Sequence, residues 1–197
     1  MFARTKRLLL RPGWVEDAPA LAQAIGDEAV VRNLARAPFP YTEADARSFL
    51  GMNDEPLLPR FLIFSRTRGA PRLIGGCGVH RDQDGAPELG YWIARPYWGL
   101  GFATEAARAV VNIARATGIG TLKASHMIDN PASGKVLRKL GFRPTGRVEP
   151  RFSASRGEHV PCALFEQMED GEVDMRDMDE VPAFMLGYDV ERAMIAA

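Results

Sequence analysis

The segment from residue 95 to residue 106 constrains the fold more than any other part of the sequence. It reads Arg-Pro-Tyr-Trp-Gly-Leu-Gly-Phe-Ala-Thr-Glu-Ala and lies between a strand-like stretch, residues 88–93, and a helix-like stretch. Gly99, Gly101 and Ala103 alternate where the helix begins, so side chains leave the backbone N–H groups uncovered. Such groups point outward with the positive end of the helix dipole, which suits a phosphate group. The segment therefore predicts a strand, a phosphate-binding loop and a helix.

The spacing differs from that of the two best-known phosphate loops. The segment lacks the Gly-Lys-Ser/Thr ending of nucleoside triphosphatases and the third glycine of the dinucleotide-binding pattern. A plain strand-to-helix turn, which needs glycine for its backbone conformation, is the alternative interpretation. Both interpretations stay open at this point.

Strand and helix signals alternate along residues 1–168, which we interpret as one domain of the α/β (α+β) class. The predicted order is strand, two helices, three strands, helix, strand, helix and two strands. Capping residues mark several helix ends. Asp17 with Pro19 opens the first helix, Thr42 with Asp45 forms a capping box for the second, and Asn130, Pro131 and Gly141 bound the last.

Composition and charge narrow the possible functions. The sequence has no stretch of about 18 uncharged apolar residues that could span a membrane, and its first ten residues make a poor signal peptide. We therefore expect a cytoplasmic protein without membrane contact. Cys77 and Cys162 form no spaced cluster and predict neither a disulfide nor a metal site. The basic residues are scattered rather than interleaved with aromatic residues, so nucleic-acid binding is not expected.

The last 29 residues differ in composition from the rest. Residues 1–168 hold 23 Lys/Arg and 16 Asp/Glu, a balance of +7, whereas residues 169–197 hold 2 and 9, a balance of −7. We interpret residues 169–197 as an acidic and then apolar extension. We expect it to dock on the basic body or on a second subunit, in a possible homodimer, with a disordered tail as the alternative.

Five motifs, taken in order, resemble the GNAT superfamily of acetyl-CoA-dependent N-acetyltransferases, and more narrowly its RimJ/RimL-type branch. They are Arg4-Thr5-x-Arg7-Leu8-x-Leu10-Arg11, Glu16-Asp17-Ala18, Gly90-Tyr91-Trp92-Ile93, Tyr97-Trp98-Gly99-x-Gly101-x-Ala103-Thr104-Glu105-Ala106, and Asn130-x-x-Ser133 through Leu140-Gly141-Phe142. The resemblance covers about residues 4–168 and implies the GNAT fold, a mixed, mostly antiparallel central sheet flanked by helices. It also implies acetyl transfer from acetyl-CoA to a primary amine, without a metal. A non-catalytic acyl-CoA-binding or interaction module of the same fold is the alternative.

The resemblance implies that the glycine loop binds the cofactor. The family core Gln/Arg-x-x-Gly-x-Gly/Ala appears as Trp98-x-x-Gly101-x-Ala103. The backbone amides expected to hold the pyrophosphate belong to Trp98, Gly99, Leu100, Gly101, Phe102 and Ala103. Arg95 adds charge near the phosphates or is a solvated surface arginine. Asn130 contacts the cofactor arm, caps its helix, or does both.

Ser133 is the predicted proton donor to the leaving thiolate. It shares a helical face with Leu137 and Leu140, where a hydroxyl needs a partner. Many GNAT enzymes carry a donor tyrosine where Leu137 stands, and in the RimL-like branch a serine at the Ser133 position is the proposed donor. A hydrogen bond from Ser133 to a backbone carbonyl one turn back is the alternative.

Glu88 is the predicted general base, acting through water on the acceptor amine. By strand alternation it shares a face with Gly90 and Trp92, and burial would raise its pKa toward a useful range. A solvent-facing strand end is the alternative. The rivals are Glu149, Glu158 and His126, with His80 and His159 carrying less weight. Because carboxylates are not concentrated in the loops expected around the acceptor, we expect a peptide or small neutral amine.

Overall fold

The computed structural model describes residues 1–52, 55, 57–67 and 69–167. The strands are β1 (Ala3–Arg4), β2 (Leu8–Arg11), β3 (Arg60–Ser65), β4 (Arg72–Arg81), β5 (Pro87–Ile93), β6 (Lys123–Met127), β7 (Phe142–Ser153) and β8 (Glu158–Gln167). The α-helices are α1 (Ala18–Ile25), α2 (Glu28–Val31), α3 (Glu43–Leu50), α4 (Phe102–Ala116) and α5 (Pro131–Lys139). Short 3-10 turns occupy Val15–Asp17 and Arg95–Tyr97.

All these strands form one sheet in the order β1-β2-β3-β4-β5-β6-β8-β7. Each neighbouring pair is antiparallel except β5 and β6, which are parallel and are connected through α4. The predicted mixed, mostly antiparallel sheet is therefore confirmed.

Helices cover both faces of the sheet, and β3 is buried on both. Phe61 and Ile63 of this strand pack in the cluster that contains the buried face of α4. Leu62 and Phe64, which alternate with them, pack against α1 and α3. This alternation places α4 on one face and α1 and α3 on the other.

The predicted ends of α3 and α5 are confirmed, and α1 begins after Asp17 as predicted, although the Asp17 side chain forms no capping hydrogen bond with it. Thr42 and Asp45 form the reciprocal capping box of α3. Asn130 caps α5 and Pro131 is its first residue. Gly141 follows the end of α5 with a φ of +84°, the left-handed conformation that glycine adopts most easily.

The predicted order omitted β1 and α2. β1 and α2 have two and four residues, too few to show a periodic pattern. β7 extends to Ser153 and includes Pro144 and Pro150. Both prolines are tolerated because β7 lies at the edge of the sheet, where a strand can accommodate proline.

Two predictions from composition can be compared with these elements. Cys77 and Cys162 are buried, unpaired strand residues, as expected. None of the helices in the described residues has the length and hydropathy of a membrane span. The predicted extension at residues 169–197 lies outside the described residues, as does residue 168 at the proposed domain boundary.

Candidate active site

A cleft opens in the sheet where β5 and β6 separate. The two strands pair at only two positions, Glu88 with Lys123 and Leu89 with Ala124, although β5 continues for four more residues and β6 for three. On their outer sides, β5 remains paired with β4 and β6 with β8. The separation beyond Leu89 and Ala124 therefore does not disturb the neighbouring strands.

The predicted phosphate loop follows β5, at the end where the two strands have separated. Gly99 and Gly101 have φ angles of +73° and +79°, which glycine adopts without strain. A Cβ atom at Gly99 would meet no other atom within 4 Å, and one at Gly101 only Nη2 of Arg7, at 3.5 Å. Among the described residues, no side chain caps the start of α4, whose first N–H groups have no acceptor within the helix. The loop thus presents open backbone donors at a positive helix end, which fits a pyrophosphate.

Side chains within and beside the loop fix its backbone. Phe102 is 5% exposed and packs in the core, and Ala103 packs partly buried beside it. The indole Nε1 of Trp98 donates a 2.6 Å hydrogen bond to the carbonyl of Ile93. Leu100 is exposed. These contacts anchor the loop on both sides of Gly99 and Gly101, and its binding of the cofactor stays a prediction.

Arg95 and Asn130, the other two predicted cofactor residues, both have partners within the protein. The side chain of Arg95 is 63% exposed, and its Nη1 lies 3.5 Å from Oδ2 of Asp27, the N-cap residue of α2. The side-chain oxygen of Asn130 accepts a hydrogen bond from the Ser133 amide at 3.4 Å. The capping role of Asn130 is confirmed, whereas contact of either residue with the cofactor stays a prediction.

Arg7 and Glu105 clamp the phosphate loop to β2, a contact that we did not predict. Oε1 of Glu105 accepts hydrogen bonds from the Thr5 hydroxyl at 2.6 Å and from the Arg7 amide at 2.9 Å. Oε2 of Glu105 accepts from Nε of Arg7 at 2.7 Å. Arg7 also donates to the carbonyl of Leu100 at 2.9 Å and lies 4.4 Å from the centre of the Phe102 ring. The clamp joins two of the sequence motifs, so their spacing along the chain could have suggested a shared site.

Ser133 lies against Tyr91 on the face of the sheet that carries α4 and α5. The Tyr91 hydroxyl is 2.8 Å from Oγ of Ser133 and donates to the carbonyl of the same residue at 2.9 Å. When it does so, Ser133 donates in turn to the phenol oxygen. Burial raises the pKa of Tyr91 to about 12, against the lowering effect of the hydrogen bond with Ser133. A tyrosine on the core-facing side of a strand needs a hydrogen-bond partner, and this signal could have identified Tyr91.

Glu88 lies on the opposite face of β5, in a buried cluster of polar groups. It is 3% exposed, and Nη1 of Arg151 lies 2.7 Å from both of its carboxylate oxygens. Ser125, one residue beyond the last pairing of β6, donates to Oε1 at 2.7 Å. Burial alone would lower the pKa of the Arg151 guanidinium, but the hydrogen bonds and charge of Glu88 outweigh it and raise that pKa. The alternative of a solvent-facing Glu88 is wrong, because Arg151 and Ser125 enclose the carboxylate.

Three of the rival bases lie outside β5 and β6, the strands that line the cleft, whereas His126 lies on β6 beyond its last pairing with β5. Glu149 is paired with Arg147, Glu158 is exposed at the start of β8, and the His159 ring packs on Phe152. Nδ1 of His126 is 2.8 Å from the Met127 carbonyl, and its Nε2 lies 2.6 Å from where a Cβ atom of Gly134 would be. His80, on the neighbouring strand β4, lies directly opposite Glu88 in the β4–β5 register.

Comparison with known proteins identifies the family. The model of the acetyltransferase (GNAT) domain family matches residues 7–143. The protein is a member of the GNAT family. It is 29% identical over 168 residues to the uncharacterized N-acetyltransferase p20 of Bacillus licheniformis, covering 82% of this chain and 92% of that protein.

Solved GNAT structures share the fold. A GNAT-family acetyltransferase from Bacillus anthracis superposes with a TM-score of 0.71 and 23% identity, over 85% of this chain and 98% of the other. RimL, a ribosomal L7/L12 α-N-protein acetyltransferase solved with coenzyme A, gives a TM-score of 0.70 at 19% identity, over 87% and 100%. The predicted GNAT fold is thereby confirmed, and family membership identifies the chain as an acetyl-CoA-dependent acetyltransferase.

Proposed function

We propose that this GNAT enzyme transfers the acetyl group of acetyl-CoA to a primary amine, either the N-terminus of a peptide or protein or a small neutral amine. The observation that best supports this proposal is the arrangement of polar side chains around the part of β5 where its pairing with β6 ends. The Ser133–Tyr91 hydroxyl pair lies on one face of this strand, and the Glu88 carboxylate on the other. A proton donor and an anionic site thus flank the cleft from opposite sides.

The glycine loop fits the cofactor. The outward sides of Gly99 and Gly101 are open, and the start of α4 offers uncapped N–H groups. We assign pyrophosphate binding to the backbone of residues 98–103, with Asn130 and Arg95 as further candidate contacts. When bound, acetyl-CoA supplies the activated acyl group, and a site that also holds the amine gains much of its rate from proximity.

The chain's own residues would then move the protons. An ammonium has no lone pair, so the acceptor must lose a proton before it attacks. Glu88 places a negative charge next to that step. As the carbon–sulfur bond breaks, Ser133 donates its proton to the sulfur, and the Tyr91 hydroxyl, turned from the Ser133 carbonyl to Oγ of Ser133, can restore that proton. A phenol is a stronger acid than an alcohol, so Tyr91 makes Ser133 a better donor than an isolated serine would be.

Charge around Glu88 favours an acceptor without multiple positive charges. Arg151 forms an ion pair with the buried Glu88 carboxylate, so this part of the site offers a polycation such as an aminoglycoside no excess of negative charge. The RimJ/RimL-type motifs and the RimL neighbour, which acts on ribosomal L7/L12, support a peptide N-terminus. We therefore propose N-terminal peptides as the first candidates to test.

A panel of acceptors with acetyl-CoA tests the proposal, read by release of free thiol. The panel contains N-terminal peptides, monoamines, polyamines and aminoglycosides. Acetylation of a peptide or a neutral amine is the expected result. If no primary amine is acetylated while CoA still binds, the non-catalytic acyl-CoA-binding module is the better description.

A further inference from the structure

We propose that His80 is the catalytic base that removes the proton from the acceptor amine, with Glu88 as its positioning carboxylate. This inference rests on the proposed amine acetylation and assigns one step of it. It begins with Glu88, whose carboxylate is already engaged. Arg151 contacts both of its oxygens and Ser125 contacts one, each at 2.7 Å. Taking a proton from the acceptor would disrupt these charge-assisted hydrogen bonds, which are among the stronger ones in proteins.

His80 lies where a base is needed. Its ring packs over Gly90, with Cε1 at 3.3 Å and Nδ1 at 3.5 Å from where a Cβ atom of Gly90 would be. Gly90 is the first residue of β5 beyond the pairing with β6. The next residue, Tyr91, holds Ser133 on the opposite face of the strand. His80 and Ser133 therefore flank the opening of the cleft from its two sides.

The ring is also free to accept a proton. It forms no hydrogen bond with any other described residue, and it is only partly buried. Four charged groups act on it from the surrounding elements: Glu88 of β5, Asp82 of the β4–β5 turn, Arg36 after α2 and Arg151 of β7. Burial lowers the pKa of His80 below 6.5, against the raising effect of the Glu88 charge. The lowered pKa favours the neutral imidazole, which is the form that accepts a proton, and the Glu88 charge stabilises the imidazolium once it forms.

The proton and electron movements balance. The acceptor ammonium passes one proton to a ring nitrogen of His80, and its nitrogen lone pair then forms a bond to the thioester carbonyl carbon. The carbon–sulfur bond breaks with its electron pair on sulfur, which takes a proton from Ser133. The nitrogen loses a second proton as the amide forms, and this proton returns to the Ser133–Tyr91 pair in place of the one that sulfur took. His80 releases the first proton to solvent.

The pH dependence of kcat/KM tests this role, with the best peptide acceptor of the panel as the probe. With His80 as the base, the rate rises with pH only up to the pKa of His80 and then levels off, well below the peptide amine's own pKa of about 8. In His80→Gln only amine already deprotonated in solution reacts, so the rate keeps rising up to about pH 8. At pH 7 only about a tenth of an amine with a pKa of about 8 is deprotonated, so we also expect kcat/KM of the variant to fall by at least about tenfold at that pH. His159→Gln is the matched control and should keep the wild-type profile.

Binding and stability measurements exclude a merely structural effect. CoA affinity and the melting temperature of His80→Gln should match the wild type. A variant that keeps wild-type kcat/KM and the wild-type profile would overturn the role of His80, and the proposed amine acetylation would stand. If the wild type acetylates no amine on the panel, the proposed function itself fails.

An NMR titration of the folded wild type provides a test that needs neither an acceptor nor a stable variant. The chain has three histidines, so the His80 ring signal can be assigned with variants of the other two. We expect it to titrate below pH 6.5, and in Glu88→Gln at a still lower pH. A His80 that is protonated at pH 7 would rule out the base role.

Discussion

At the scale of single residues, the groups proposed to donate and to remove protons lie on opposite faces of β5. Tyr91 points toward α5, and its hydroxyl contacts both the side chain and the carbonyl of Ser133. Glu88 points the other way, toward Ser125 and Arg151. Because successive strand residues alternate between faces, one short strand can hold groups for proton donation and for proton removal on either side of the same cleft.

The Ser133–Tyr91 pair is expected to act as one unit. Ser133→Ala should lower the rate of a chemistry-limited turnover by about 10²–10⁴-fold, the usual range for loss of a general acid. Tyr91→Phe should lower it as well, because Ser133 then loses the phenol that restores its proton. The double variant should be no slower than the slower single variant, since residues that act together are strongly non-additive.

Calorimetry with CoA is the companion measurement, and each variant should bind CoA like the wild type. Tyr41→Phe removes a tyrosine hydroxyl on the side of the sheet that carries α1 and α3 and serves as the control. Effects of Ser133→Ala and Tyr91→Phe that simply add would contradict a shared role, and nearly full turnover in Ser133→Ala would remove Ser133 from the mechanism.

At the scale of elements, the start of α4 is the critical feature. Gly101→Val should weaken CoA binding by more than about tenfold, or 1.4 kcal/mol, because its side chain would fill the open side of the loop. It also imposes a strained backbone, since Gly101 has a φ of +79°. Gly118→Val is a matched control, because Gly118 follows the other end of α4 with a φ of +78° and open surroundings.

Both glycine variants should lose similar stability, about 1–3 kcal/mol for a non-glycine residue in such a conformation. Only Gly101→Val should lose CoA affinity, as measured by calorimetry. Equal CoA affinities in the two folded variants would show that the phosphates do not bind at this loop.

The clamp between β2 and α4 gives a prediction about stability. Burial alone would raise the pKa of Glu105, but hydrogen bonds from Thr5 and Arg7 outweigh it and lower that pKa. A lowered carboxylate pKa stabilises the fold above the unfolded value of about 4.3, and this contribution is lost as the pH falls through the folded value. Glu105→Gln should therefore cost about 1–3 kcal/mol at pH 7 and progressively less below about pH 4.3.

Denaturant unfolding at several pH values measures this difference. Glu43→Gln is the control, because Glu43 forms an exposed ion pair with Arg47 that should contribute less than about 1 kcal/mol. We also expect Glu105→Gln to bind CoA up to about tenfold more weakly, because Arg7 also holds the Leu100 carbonyl. A stability loss that is independent of pH would contradict the role assigned to the Glu105 charge.

Local features of these elements could be predicted from the sequence, whereas contacts between distant elements could not. The capping box at Thr42 and the glycine loop at Gly99 and Gly101 depend on neighbouring residues. The clamp joins residues 98 positions apart, and Glu88 meets Arg151 across 63. Such pairings depend on strand order and register, which a single sequence does not fix. For the same reason, the positions of Tyr91 and His80 relative to the cleft could not be predicted.

At the scale of the whole molecule, segments that are far apart in the sequence contact each other beside the sheet. The turn between β7 and β8 lies against the end of α2 and the segment after it through three hydrogen bonds. They run from the Ala154 amide to the Ala35 carbonyl, from the Ser155 hydroxyl to the Val31 carbonyl, and from Nε of Arg156 to the Arg32 carbonyl. The segment after α2 also carries Arg36, whose charge acts on His80. The surroundings of the proposed base thus depend on chain segments more than 100 residues apart.

The final prediction concerns residues 169–197, which we infer to dock on the domain or on a second subunit. The opposite charge balances, +7 for residues 1–168 and −7 for the extension, favour attraction. Salt screens exposed charges over roughly 8–10 Å. The apolar side chains within residues 184–195 would therefore have to supply most of the affinity. Deleting residues 169–197 should therefore lower the melting temperature or the oligomer mass measured by light scattering, and the difference should persist at high salt. A truncated protein with unchanged melting temperature, mass and activity would show that the extension is dispensable.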